Sequence, residues 1–565
     1  MSPGTLRKTS SSMIVAIKQT YTFLQEKKWP PLFAIILVTF GIHCSAINNE
    51  FYWDDHAQVL DAKLTDSWNN IYTIFTSEVW RNVEHEERLN HATIDTFRPM
   101  FNLSLLVDSQ LFGKSSYWHH SVNLFIHLLS IIFVYLIGTQ IFSHRMALWM
   151  SAFFSLHPGT VTCIHYVSAR PDSMATLFAL IAIWISLLPS NYFIRNQLLA
   201  AFFLFLALLS KETTLFVTVW IIVVRISFFR PPKRSSLLFQ VLIFMVTISF
   251  YFALRFNALQ GIKAVENTNH LIEVIVNYPW VLVEGLKVAI FHTSPLPLRS
   301  FNALHSAISI PQIIITSTIY ISLGMFIIWG LIKRNNYVLS ATWFILLLAP
   351  PTVAIVRTHI IDGHYFYAPT FGIALLYATI ANSLANSQIR QWIVTAFAVT
   401  ICLTAGTLSY ISAQNFKTEI LFYKGIISTD FYSEIAPFNL GNAYLRQGLN
   451  KKAVDAFQLA LRPELDQPEL YNNLSLAYLR MNMLQKAEHF AIAAVQSKPE
   501  NARYYYNLGL IRMKQKNWKS ALTLLQESLE LDPSYKSSKE LVTQFCQSRE
   551  SIPFYTICKK MLTTN

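Results

Sequence analysis

From residue 29 to residue 412 long apolar runs alternate with short polar breaks. A helix needs roughly 20 apolar residues to cross the hydrocarbon core of a bilayer. The runs at 29–47, 119–142, 146–160, 173–190, 197–210, 213–229, 236–256, 311–332, 337–356, 365–384 and 391–412 therefore predict about eleven membrane helices. The third and fifth runs are short, so their ends are the least defined. A twelfth, partly inserted element is expected near 272–292. The first run, "WPPLFAIILVTFGIHCSAI", lacks a small-residue cleavage site and reads as a retained helix rather than a removed signal peptide.

Beyond residue 437 the pattern changes. Asn439-Leu440-Gly441, Asn473-Leu474-Ser475 and Asn507-Leu508-Gly509 recur every 34 residues. Ala453, Ala487 and Ala521 keep the same period, as do Tyr444 and Tyr478, and Pro499 and Pro533. A 34-residue period with small residues at fixed places is the tetratricopeptide (TPR) signature. The small residues let paired helices approach closely, and proline stops the second helix. The expected division is 1–28 as a cytoplasmic N-terminal segment, 29–412 as the membrane domain with a loop at 48–118, 413–536 as the TPR domain, and 537–565 as cap and tail. The TPR domain holds three full repeats after a leading half repeat. The fold class is thus all-α, a polytopic helical bundle followed by an α-solenoid.

Composition agrees. The 565 residues are 53% hydrophobic and only 14% charged, less charge than a soluble protein of this length carries. The net charge of +13 comes from short basic clusters between apolar runs, so it reports topology rather than nucleic-acid binding. His144/Arg145, Arg195, "RPPKR" (230–234), Lys333/Arg334 and Arg390 group with the basic N-terminus on the cytoplasmic side. The opposite face then receives loop 48–118, loop 158–172, "SKET" (210–213), segment 257–310, "RTHIIDGHY" (357–365) and everything after 412. Arg98, Arg170, Lys211, Arg299 and Arg357 lie on that outer face against the charge rule, which marks them as candidates for binding an anion. None of the five cysteines forms a metal pattern. Cys546 and Cys558 share the tail, and an oxidising compartment would allow them to form a disulfide.

The sequence lacks a P-loop, a Rossmann glycine pattern and a G-x-S-x-G element. It does carry "FYWDDHAQVL" (51–60), "FRPMFNLSLLVDSQLFG" (97–113), "YWHHSVNLFIHLL" (117–129), "FSLHPGTVTCIHYVSARPDSMATLF" (154–178), "SKETTLF" (210–216) and "HYFYAPTFGIALL" (364–376), in that order and ahead of the repeats. This set resembles the membrane glycosyltransferases of GT-C fold that carry C-terminal TPRs, bacterial relatives of the O-mannosyltransferases with that layout. The resemblance implies a polyprenyl-phosphate-linked sugar donor, an acceptor hydroxyl on the periplasmic face of an inner membrane, and an active site under the first long loop.

On that resemblance Asp54 and Asp55 match the acidic pair of the first loop. One carboxylate would take the proton of the attacking hydroxyl, and the second would raise its pKa, hold a divalent metal or bind the acceptor. Asp54 is the preferred base, with the division left open. The plainer reading is an aspartate capping the short helix that follows. Arg357, His359, His364 and Tyr365 are candidates for the donor phosphate. The family often has arginine where His364 stands, so that role depends on Arg357 or on a protonated His364. Arg98, His157, Arg170, Asp172, Lys211 and Glu212 match further family elements. Read locally, Arg170 pairs with Asp172, Lys211 pairs with Glu212, and the His157 imidazole satisfies backbone carbonyls. His119, His120, Asn123 and His127 form a polar stripe expected to face the bundle interior. The repeats offer a groove for a protein or peptide acceptor. Two rival readings stand beside this one. The first is a glycan ligase or polymerase of the O-antigen type, which relies on basic and histidine residues and would not use an early acidic pair. The second is a non-catalytic scaffold that recruits partners through its repeats.

Overall fold

The computed structural model describes residues 29–79, 96–188, 192–227, 234–259, 268–291, 298–300, 310–358, 360–385, 387–429, 435–462 and 466–548, together with Phe554 and Cys558. These residues form two compact units, Met1–Thr418 and Glu419–Asn565.

In the first unit the helices are α1 (Trp29–His43), α2 (Ile71–Thr76), α3 (Pro99–Phe112), α4 (Ser116–Ile141), α5 (His144–Leu156), α6 (Val161–His165), α7 (Arg170–Leu187), α8 (Phe193–Ser210), α9 (Leu215–Ser227), α10 (Arg234–Ala258), α11 (Thr268–Phe291), α12 (Ile310–Ile332), α13 (Asn336–Thr358), α14 (Tyr367–Leu384) and α15 (Gln388–Gln414). Each expected span coincides with one of them. Among the described residues eight helical segments are long and apolar enough to cross a membrane: Trp29–Asn48, Ser116–Ile141, Val167–Leu187, Phe193–Ser210, Ser235–Ala258, Ile310–Ile332, Asn336–Thr358 and Gln388–Gln414. The runs at 146–160, 213–229 and 365–384 give the shorter α5, α9 and α14. The element near 272–292 is a full helix, α11, with Pro279 inside it.

One strand pair interrupts this all-helical pattern. Leu298–Ser300 (β1) pairs antiparallel with Ile360–Asp362 (β2), Arg299 facing Ile361 in register. The pairing ties the segment after α11 to the turn that precedes α14.

Burial within the bundle is graded, and this gradient places the site. Most residues of α7 are buried, whereas α12 buries only Thr316 and Gly330. α7 therefore runs through the interior, packed by α4 and α8, while α12 lies at the periphery. Helix α7 starts where Pro171 fits the first turn and Asp172 meets the positive helix end. Upstream, His157-Pro158 ends α5. The expected loop 158–172 is a chain of short helical turns, Pro158–Thr160, α6 and Val167–Ala169, all inside the bundle and not open to solvent. Cys163 accordingly sits buried in α6. Gly159 is required there, since a Cβ would lie 2.7 Å from Thr370 Oγ1 and 2.9 Å from His157 Nδ1.

The second unit begins with α16 (Glu419–Thr429). Three helical hairpins follow: α17 (Ile435–Arg446) with α18 (Asn450–Ala460), α19 (Pro468–Arg480) with α20 (Leu484–Ser497), and α21 (Ala502–Lys514) with α22 (Trp518–Leu531). α23 (Lys536–Cys546) packs on α22. Ala453, Ala487 and Ala521 are wholly buried. A Cβ on Gly441 would come within 2.3 Å of the Phe457 ring, so the first hairpin closes only around glycine. Cys546 and Cys558 are disulfide-bonded, and Phe554 from the same tail packs on Phe545.

Candidate functional site

The acidic pair lies in a turn fixed from both sides. Tyr52 donates its hydroxyl hydrogen bond to the His165 carbonyl and stacks on Tyr166 at 5.3 Å. Asn49 Nδ2 donates to the same carbonyl at 3.3 Å. The Asp55 N–H bonds Tyr52 O and the His56 N–H bonds Trp53 O, each at 3.1 Å. Trp53 carries the turn at φ 51°, a left-handed conformation that a bulky side chain rarely adopts. The two carboxylates then differ sharply. Asp54 is half-buried and Asp55 wholly buried. Asp55 Oδ1 accepts from the Ser168 N–H at 2.8 Å and from its hydroxyl at 2.6 Å. Its Oδ2 is buried with no hydrogen-bond partner among the described residues. Burial pushes the Asp55 carboxyl up to about 7; Ser168 opposes the rise and Asp54 adds to it. Asp55 stands at the N-cap position of the turn that follows, yet its side chain makes no capping bond there.

A second cluster meets the same end of α7. Lys211 Nζ bonds both Asp172 oxygens, at 2.7 and 2.6 Å. His364 stands between two carboxylates, its Nδ1 2.7 Å from Asp362 Oδ1 and its Nε2 3.8 Å from Asp172 Oδ2. Arg98 grips Glu212 with two bonds, at 3.0 and 3.3 Å. Burial alone would raise Glu212, but Arg98 overcomes it and holds the carboxyl down at about 2. The Tyr365 ring lies 5.4 Å from Lys211 Nζ and 4.4 Å from the His364 ring. Tyr166 links the two clusters: burial, then the charges of Asp54, Asp55 and Asp362, push its hydroxyl pKa up.

These partners correct two local expectations. Arg170 does not pair with Asp172. It bonds Asp108 at 2.6 Å, Asn123 Oδ1 at 2.6 Å, Ser104 at 3.1 Å and the His119 carbonyl at 2.8 Å, so protein groups hold its guanidinium inside the bundle. Lys211 does not pair with Glu212; Asp172 and Arg98 take those places. Neighbours along the chain diverge because the α7 and α8 ends present them to different elements. The His157 Nδ1 accepts from the Gly159 N–H at 2.9 Å. Arg357 is exposed in the last turn of α13, with β2 between it and His364. His359 lies outside the described residues, as do 230–233. The polar stripe of α4 does face inward: Asn123 bonds the Cys163 and Tyr166 carbonyls, and His127 meets Tyr367 Oη at 3.0 Å.

The sequence reading passed over Ser168, Tyr166, Asp108 and Asp362. The first three lie inside quoted motifs and Asp362 in the loop 357–365, but the contacts that give Ser168, Tyr166 and Asp108 their roles reach far along the chain, 113 residues from Ser168 to Asp55 and 62 from Asp108 to Arg170. Among the described residues no third His, Cys, Asp or Glu joins Asp54 and Asp55 in an arrangement able to hold a metal ion.

Comparison with known proteins bears on both units. Tetratricopeptide-repeat models match residues 468–501 and 502–535, the second and third hairpins. The C-terminal hairpins are tetratricopeptide repeats. Over 458 residues, 76% of the chain, the protein is 22% identical to a protein O-mannosyl-transferase of Caenorhabditis elegans. It spans 62% of that relative's length. The motif resemblance is therefore to a protein of the same description. Among solved structures, an Archaeoglobus fulgidus oligosaccharyltransferase in the apo form aligns with 70% of this chain and 56% of its own, at 12% identity and TM-score 0.35. MamA aligns with 28% of this chain and 94% of its own, at 16% identity and TM-score 0.23.

Proposed function

We propose that the protein is an inverting membrane glycosyltransferase of GT-C type, moving a sugar from a polyprenyl-phosphate donor to a protein Ser or Thr hydroxyl. The observation that carries this reading is the convergence of four distant segments on one end of α7. They bring Asp54 and Asp55 near the paired basic groups Arg98, Lys211 and His364, with Tyr166 and Asp362 between. The name of the C. elegans relative supports the reaction class.

The acceptor oxygen attacks the anomeric carbon while its proton passes to Asp54. The bond from that carbon to the phosphate oxygen breaks, and polyprenyl phosphate leaves with the electron pair. A serine or threonine hydroxyl is a weak acid, so a placed base is needed. Asp54 takes this role because it is the less buried carboxylate. Asp55 fixes the turn through Ser168. Lys211, Arg98 and His364 stabilise the charge that builds on the departing phosphate, with Arg357 as an exposed countercharge at the interface. Asp172, Asp362 and Glu212 hold Lys211, His364 and Arg98 in place, and Arg170 positions the start of α7. The repeats present the acceptor polypeptide. The site and the repeats lie on the outer face, and the Cys546–Cys558 disulfide supports an oxidising compartment there.

The test is transfer from synthetic polyprenyl-phosphate sugars by purified protein. Wild type turns over and Asp54→Asn does not. Equal turnover by both removes the base assignment. A protein inert with every donor, yet still bound to partners through its repeats, favours the scaffold reading.

A further inference from the structure

Fourteen residues along α7 from Asp172, about 21 Å away at 1.5 Å per residue, Ser186 belongs to a second buried polar cluster. It gathers the end of α7, the starts of α8 and α10, and the end of α9. Arg225 is 8% exposed. One of its terminal nitrogens donates to the Ser186 carbonyl, and its guanidinium lies 4.8 Å over the Phe193 ring. Its Nε has no hydrogen-bond partner among the described residues. The other buried side chains of the cluster are neutral. Ser186 Oγ donates to Gln197 Oε1 at 3.1 Å and accepts from Gln240 Nε2 at 3.0 Å, while Gln240 Oε1 has no partner among the described residues. Arg195 bonds Asn196 Oδ1 at 3.3 Å.

Arg225 has no carboxylate partner among the described residues. The sequence around it holds none either: 185–198 and 222–242 contain no Asp or Glu. Every other buried guanidinium or ammonium at the two ends of α7 is matched, Arg170 by Asp108 and Lys211 by Asp172. A buried charge without a counter-ion is strongly destabilising, and ionisable groups in membrane helices generally have a partner.

We propose that an anionic phosphate group occupies this end of the bundle and completes the charge balance of Arg225. The guanidinium presents two parallel N–H groups to phosphate oxygens, and neutral amides and the Phe193 face form the surround. In a chain that crosses a bilayer this end lies at headgroup level, so the headgroup of an anionic phospholipid brings the phosphate. Free phosphate is the alternative source of the same chemistry. This site is independent of the transfer reaction.

The test uses full-length protein in neutral detergent, offered equal amounts of phosphatidylglycerol and phosphatidylcholine, with bound lipid counted by native mass spectrometry. Wild type retains phosphatidylglycerol over phosphatidylcholine by about fivefold, the factor that corresponds to ~1 kcal/mol per basic residue at a membrane surface. Arg225→Met binds the two equally, and Arg225→Lys, which keeps the charge but not the fork, lies between. Inorganic phosphate that displaces the retained lipid assigns the site to free phosphate; failure to displace it assigns the headgroup. If Arg225→Met does not fold, the wild-type ratio decides alone. A wild-type ratio near one overturns the proposal, as does an Arg225→Met protein with the wild-type preference.

Discussion

Asp55→Asn separates the structural from the chemical part of the acidic pair. The carboxyl is wholly buried and titrates at about 7 in the folded protein, against an ordinary 3.8. Because the folded value is raised, the folded state holds its proton more tightly than the unfolded chain. The resulting stability is full below about pH 4 and is lost as pH rises through 7. The shift is about 3 units, so ionising Asp55 costs on the order of 4 kcal/mol at high pH. Between about pH 5 and pH 8 the wild type loses about 3 kcal/mol that the uncharged asparagine does not lose. The amide oxygen still accepts from Ser168, but its NH2 points where Oδ2 had no partner, at a cost of about 1–3 kcal/mol. The variant therefore gains about 3 kcal/mol on the wild type between pH 5 and pH 8 and is the more stable protein near pH 8. Chemical denaturation of both proteins in the same detergent across that range measures it. A stability difference that stays constant with pH refutes the raised pKa. If the variant is less stable throughout by several kcal/mol, the ionised carboxylate is a stabilising group and the burial argument fails.

Asp54→Asn should lower kcat by about 10²–10⁴-fold with little change in unfolding midpoint, since the side chain is only half-buried; a stability loss equal to the activity loss would point to a structural role. Lys211→Met should destabilise by about 3–5 kcal/mol because it strands Asp172. Adding Asp172→Asn should recover much of that loss in a double-mutant cycle, whereas additive losses would show that the two do not act as a pair. Gly441→Ala should loosen the first hairpin by about 1–3 kcal/mol, its Cβ meeting the Phe457 ring. Limited proteolysis of the full chain would register this as faster cleavage between α17 and α18, and an unchanged rate would refute the close-packing argument. Thiol labelling of unreduced, unfolded protein should leave Cys546 and Cys558 unmodified while Cys44, Cys163 and Cys402 react; labelling of all five would refute the bridge.

Helix positions were legible in the chain because burial in lipid and the 34-residue packing period both act on local composition. Twenty apolar residues mark a span wherever they sit, and Ala453, Ala487 and Ala521 announce close helix pairs by their spacing alone. The acidic pair was legible too, since two carboxylates beside an apolar run are costly and need a reason. Pairings among charged residues were not. Arg170 beside Asp172 and Lys211 beside Glu212 looked like local ion pairs, yet each bonds a residue from another element. Charge interactions depend on distance in space, and the first turn of a helix points adjacent side chains in different directions. Likewise nothing local separates Asp54 from Asp55, or marks Ser168 as the group that fixes one of them. The strain at Trp53, the β1–β2 pairing and the burial of Arg225 away from any described carboxylate also belong to the tertiary structure. The sequence determined which residues had to leave water; the packing of the bundle determined which of the polar groups carried in with them found a partner.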